Sequence, residues 1–249
     1  MSAEATSPAT FSGTYLPGEF AADGGTFLDN LGIVPELAVS MARQLVGNYS
    51  GDFYEDESGF ATTVYDQSGN ARNLTNPASG DDPELTGSGK TTRGIFSSTS
   101  NTNLSTGITG SLWPSGNHDV FIVLDPVYVG TGSNKQAIFG RGTGDVIRMQ
   151  NGNSSSAVAG MTVGEIRVND SILPATVTRD ALWDALTVSG LNVLSLEDVD
   201  LQSIGGAIKL GGSDANWRLE CYFAEWIITP ALSDADHSAI VSNIRDYYS

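Results

Sequence analysis

Along most of this chain, short strand-length runs rich in apolar, β-branched and aromatic residues recur between turn-forming residues. Between Phe60 and Trp226 the runs FATTVYD (60–66), HDVFIVLDPVYV (118–129), KQAIFGRG (135–142) and DVIRMQ (145–150) come first. GEIRVND (164–170), ALTVSG (185–190), NVLSLEDV (192–199) and RLECYFAEWIIT (218–229) follow. Gly, Pro, Asn or Asp bounds each at close spacing, which predicts an antiparallel sandwich rather than βαβ units. Two stretches follow the helical period instead. PELAVSMARQLV (35–46) sets Leu37, Met41 and Leu45 on one face, with Pro35 in the first turn and Gly47 at the end. Near the C-terminus, Ser233 is a natural N-cap with Asp236 at the third helical position. Ile240, Val241, Ile244, Tyr247 and Tyr248 then form an apolar stripe that must lie on the sheets.

Residues 1–27 show neither pattern. Phe11, Tyr15, Phe20 and Phe27 are isolated aromatics in a small, polar, Gly/Pro-punctuated stretch. This is expected to be an extended arm without a core of its own, either a bare tail or a set of anchors for a neighbouring subunit. No internal repeat or long linker divides the rest, so residues 28–249 are expected to form one domain.

Composition agrees with a turn-rich β protein: 29 of the 249 residues are Gly, which supplies the positive φ that tight turns require. Acidic residues number 29 against 12 basic ones, a net charge of −17. Such a chain repels phosphates, which excludes nucleic acid and anionic membrane surfaces as direct partners. Cys221 is the sole cysteine, so neither an intrachain disulfide nor a cysteine metal cluster can form. The first residues carry no basic and apolar leader, and no run reaches membrane-spanning length. The expected protein is made in the cytoplasm and does not leave by a secretory signal.

Few residues suggest reaction chemistry. His118 and His237 come without a nucleophile elbow and are expected at the surface or in turns. Glu220 and Glu225 stand at an odd spacing in the chain, which on a regular strand turns at most one inward. One inward carboxylate is not the pair that glycoside hydrolysis needs. The acidic runs GDFYEDESG (51–59) and SGDDPEL (79–85) would suit calcium before zinc, but solvated acidic loops are the plainer reading, and no cofactor is expected. Trp113, Trp183 and Trp217 lie near loop-type residues. Trp217 stands out because Asp214 and Asn216 beside it could bond sugar hydroxyls.

The densest cluster of polar residues is YDQSGN (65–70). Asp66 can bond the amide two residues on as an Asx-turn, and Gly69 and Asn70 can take positive φ, so each polar group has a backbone task. The cluster therefore reads as a turn, not an active site.

Two segments together, PELAVSMARQLVGNYSG leading to GFATTVYDQSGNARNLTN, and the ending IKLGGSDANWRLECYFAEWIITPALSDADHSAIVSNIRDYYS, resemble a known family. It is the concanavalin A-like (laminin G-like) jelly roll, in the branch that includes the catalytic domain of arabinofuranosidase B. Similar domains occur in tail and capsid-surface proteins of tailed bacteriophages. The resemblance spans about residues 28–249 and implies a mainly β, two-sheet antiparallel jelly-roll sandwich with a short N-terminal helix and a C-terminal helix. The family's hydrolase has a Glu nucleophile after a Met and an acid/base Asp in a Gly-Gly-Asp loop. Here the matching positions read Ile147-Arg148-Met149-Gln150 and Gly211-Gly212-Ser213-Asp214. Gln150 cannot form a glycosyl-enzyme intermediate, so the resemblance implies glycan binding without catalysis.

Three functions follow as expectations. The first is a non-catalytic virion surface protein, a capsid decoration, head-fibre or tail protein that touches host-surface glycans through Asp214, Asn216 and Trp217. Its arm would contact other virion proteins or further copies of itself in a homo-oligomer. The second is a glycoside hydrolase with Asp214 as acid, and the third a purely structural assembly protein.

Overall fold

The computed structural model describes residues 27–47, 49, 51–76, 81–96, 102–126, 135–141, 144–174, 176–186, 190–211 and 217–249. Phe11, Tyr15, Phe20, Asp214 and Asn216 lie outside the described residues. The chain is mainly β, with sixteen described strands joined in one antiparallel hydrogen-bonded ladder. The first eight are β1 (Leu37–Ser40), β2 (Tyr54–Glu57), β3 (Phe60–Val64), β4 (Leu74–Thr75), β5 (Glu84–Thr86), β6 (Arg93–Phe96), β7 (Asn103–Thr109) and β8 (His118–Asp125). The others are β9 (Lys135–Arg141), β10 (Asp145–Gln150), β11 (Val158–Ala159), β12 (Glu165–Val168), β13 (Ser171–Ile172), β14 (Asn192–Val199), β15 (Ala207–Gly211) and β16 (Cys221–Pro230).

The ladder runs β11-β10-β9-β15-β7-β4-β3-β5-β6-β16-β8-β14-β12-β13, with β1 added on β16 and β2 on β3. Strands far apart in this order share one core. Ile138, Phe139, Ile147 and Met149 of β9 and β10 belong to the same buried cluster as Val120, Ile122, Trp226 and Ile228 of β8 and β16. Phe139 meets Trp226 edge-on with ring centroids 5.8 Å apart, although six strands separate β9 from β16 in the ladder. Alternation produces most of this arrangement, and the adjacent pair Ile138 and Phe139 both reach the core where the β9–β10 register shifts.

A second buried cluster lies on the opposite side of β8, β14 and β16. Phe121, Val123, Val193, Ala224 and Ile227 there meet Ile240, Val241 and Ile244 of the C-terminal helix Asp234–Tyr248. The expected cap is present, with Ser233 Oγ accepting from the Asp236 amide at 3.2 Å. Charge matches the helix dipole at both ends. Asp234 and Asp236 occupy the first turn. Arg43 and Lys90 lie over the Tyr247 ring in the last turn, and Arg93 lies over Tyr248.

Two expected elements are corrected. Residues 35–46 are not a helix: Leu37–Ser40 form β1, which pairs with β16 from Leu37↔Ile228 to Ser40↔Glu225. The strand is buried on both faces, with Leu37 and Val39 in the first cluster and Ala38 in the second. A strand covered on both sides has no alternation to display, and the i, i+4 spacing of Leu37, Met41 and Leu45 was coincidental. The short helix of this region is Phe27–Asn30, whose Leu28 joins the second cluster. The expected strand 185–190 is also corrected, because Ala185 and Leu186 end the helix Arg179–Leu186, which buries Leu182, Trp183 and Leu186.

Candidate functional site

The YDQSGN turn has a wider task than its own backbone. Asp66 Oδ1 accepts from the Ser68 amide at 3.0 Å, the expected Asx-turn, and also from the Ala38 amide of β1 at 3.0 Å. Asp66 Oδ2 accepts from Ser68 Oγ at 2.7 Å and the Arg72 amide at 3.0 Å. Gln67 spans the loop after β1, accepting from the Leu45 amide at 2.5 Å and donating to Arg43 O at 3.0 Å. Asn70 donates to Glu36 O at 3.1 Å, and Arg72 pairs with Glu36 at 2.8 Å. Gly69 has φ +87°, but the second left-handed residue is Ala71 at φ +56° and not Asn70. Each polar side chain of the turn is thus committed to holding residues 36–45, which leaves no set of groups for chemistry.

Both histidines are buried, contrary to the surface positions expected for them. His118 opens β8 as expected, and burial lowers its pKa. His237 stacks on Phe121 at 4.8 Å, with Nε2 3.4 Å from Glu197 Oε1 and Nδ1 3.7 Å from Asp170 Oδ1. Beside it Arg167 Nε lies 2.6 Å from both Glu165 Oε1 and Glu197 Oε1, cross-strand partners in β12 and β14. This is a close carboxylate pair, but one guanidinium bridges it. A groove of 470 Å³ beside it is lined by Val158, Val163, Ile166, Leu173 and Val177, with Glu165 its one acid. Glu225 is wholly buried and Glu220 half-buried. Parity does not fix their faces, because the β16–β8 register shifts between Phe223 and Glu225.

Burial, and then the Arg167 charge, push the His237 pKa down to about 4, while Asp170 and Asp234 pull it upward. Unfolded, the ring titrates at ~6.5. Between these values the unfolded chain binds a proton that the folded chain does not, so stability falls as pH falls from ~6.5 toward ~4. Wild type should lose stability relative to His237→Gln over that window, approaching about 3 kcal/mol. Asp119, whose pKa burial raises, titrates in both proteins and cancels in the difference, whereas Glu197 lies against the ring, so the comparison is repeated with Glu197→Gln in both proteins. Denaturant unfolding of both proteins at pH 7.5 and 4.5 measures it, and an unchanged gap would refute a neutral buried His237.

The two acidic runs approach one another. Burial, then Glu57 and Asp81, raise the Asp82 pKa. Among the described residues no group of three or more His, Cys, Asp or Glu could hold a metal ion. No described helix is long and apolar enough to cross a membrane.

Trp217 is different in kind. Trp113, Trp183 and Trp226 are buried, whereas Trp217 keeps partial exposure. Three cations converge on its ring, Arg148 at 4.6 Å, Arg179 at 5.0 Å and Lys135 at 6.0 Å from the centroid. They come from β10, the first turn of helix Arg179–Leu186 and the first residue of β9. Alternation accounts for Arg148: Ile147 and Met149 are in the core, so Arg148 and Gln150 turn to the other side of β10. Gln150 pairs in register with Lys135. Arg179 donates through Nε to Ser156 O at 3.1 Å. The sequence singled out Trp217 but neither arginine. Arg148 sits within an apolar strand, and Arg179 belongs to the helix that the period did not show.

In comparisons with known proteins, no family model, no curated protein and no solved structure matches this chain. Fold and site together define a mainly β antiparallel domain with one cation-ringed, partly exposed tryptophan.

Proposed function

We propose that this chain is a non-catalytic glycan-recognition module on a virion surface, built as a concanavalin A-like two-sheet jelly roll. The observation that carries glycan recognition is Trp217, the one tryptophan with partial exposure, set among the hydrogen-bonding heads of Lys135, Arg148 and Arg179. An apolar ring beside polar groups is what sugars require of a protein surface. The core shared by β9, β10, β8 and β16 supports a ladder folded into two facing sheets. Two observations support the non-catalytic reading: Gln150 stands where the resemblance places a nucleophile, and Arg167 bridges the close pair Glu165 and Glu197. The virion setting, with the arm 1–27 as its assembly contact and homo-oligomeric partner surface, rests on the motif resemblance alone.

A glycan array probed with the intact protein tests this reading. Specific saccharides should be retained, and Trp217→Ala should weaken them roughly tenfold or more with the melting temperature little changed, as expected for loss of a single aromatic contact. Hydrolysis of the bound saccharides that disappears in Asp214→Asn would replace the reading with the hydrolase. An array without hits, from a protein that purifies with particles, would replace it with the structural role.

A further inference from the structure

We infer that the Trp217 patch binds its saccharide through a carboxylate, so that the ligand class is an acidic sugar of the uronic-acid type carried on an otherwise neutral glycan. This rests on the glycan-binding reading and narrows it. A guanidinium stacked on an aromatic ring uses its face and leaves its in-plane N–H donors free for a planar acceptor. Arg148 and Arg179 both lie over the Trp217 ring. Arg179 is half-buried, its Nε is taken by Ser156 O, and its two terminal nitrogens have no acceptor among the described residues. Those two donors match the two oxygens of a carboxylate.

Three of the chain's 12 basic residues gather here in a protein of net charge −17. The long-range field repels polyanions, while the two open donors of Arg179 suit a single planar anion. A ligand with one carboxylate on a neutral body meets both conditions. A densely sulfated chain or a nucleic acid does not.

The test is calorimetric titration of the intact protein with a methyl glucuronoside, its methyl ester, the parent methyl glucoside and inorganic sulfate. The acid should bind at least roughly tenfold tighter than the ester and glucoside, the worth of one charge-assisted pair. Arg179→Gln should remove that preference, and Arg179→Lys should restore part of it. Lys135→Gln, at an exposed strand start, serves if the Arg179 variant does not fold. Equal binding of acid and ester overturns the inference and leaves glycan recognition standing. Sulfate binding as tightly as the acid sugar overturns it in favour of a bare anion site. Binding of none of the sugars, while the array retains others, overturns the ligand class alone; an empty array overturns both readings.

Discussion

Arg43→Met is expected to lower the unfolding free energy by about 3–5 kcal/mol. The Arg43 guanidinium meets the wholly buried Glu225 in a fork, Nε to Oε1 at 2.6 Å and Nη2 to Oε2 at 3.0 Å. Burial alone would lower the Arg43 pKa, but Glu225 more than offsets it and the net shift is upward. Tyr248 donates to the same carboxylate at 2.6 Å and Ser40 at 3.3 Å. Arg43 also reaches Asn243 at 2.7 Å and lies 4.5 Å from the Tyr247 ring, so the pair fastens the end of the C-terminal helix to β1 and β16. Without the cation, a carboxylate remains under the helix with two neutral donors. The double variant Arg43→Met/Glu225→Leu should be more stable than Arg43→Met, because the cost lies in the unmatched charge. Chemical denaturation of the two proteins decides this. A loss below about 1 kcal/mol in Arg43→Met would show that water reaches Glu225.

The second large effect is expected at Asp66. Its carboxylate accepts from the amides of Ala38, Ser68 and Arg72 and from Ser68 Oγ. Asp66→Ala leaves the Ala38 amide buried without a partner and frees β1 from the turn. A loss of about 3–4 kcal/mol is expected, since an unsatisfied buried donor costs ~1–3 and charged acceptors more than neutral ones. Asp66→Asn should cost roughly half, because Oδ1 keeps its two acceptor bonds while the new amide faces Ser68 Oγ and the Arg72 N–H as a donor. Hydrogen exchange should show the Ala38 amide released before the rest of the ladder in Asp66→Ala. Persistent protection there would sink the clasp.

The parts of this molecule that the sequence foretold carry strand-length apolar runs between turn residues, or a capped one-sided stripe. β10 and β14 match the expected runs 145–150 and 192–199 end to end, because apolar, β-branched runs bounded by Gly, Asn and Asp are what strands display. The closing helix was legible from its Ser233 cap and its stripe of Ile240, Val241, Ile244 and Tyr247. Where an i, i+4 spacing arose by chance or a shift of register broke parity, the pattern misled. β1 passed for a helix, and Glu225 could not be given a face, because a shift of register in β16 breaks the parity on which such arguments depend. The candidate site divides likewise. Trp217 was legible as a tryptophan among loop residues, whereas Arg148 and Arg179 became its neighbours only through packing.

By itself, then, the sequence determined an antiparallel, turn-rich β chain with a capped closing helix, since local period and turn chemistry are short-range properties that each segment carries alone. Only the tertiary structure decided that Asp66 holds β1, that Arg43 lies on Glu225, and that three cations meet at Trp217. Those contacts join residues far apart in the chain, and no short-range pattern records which distant side chain will neutralise a charge.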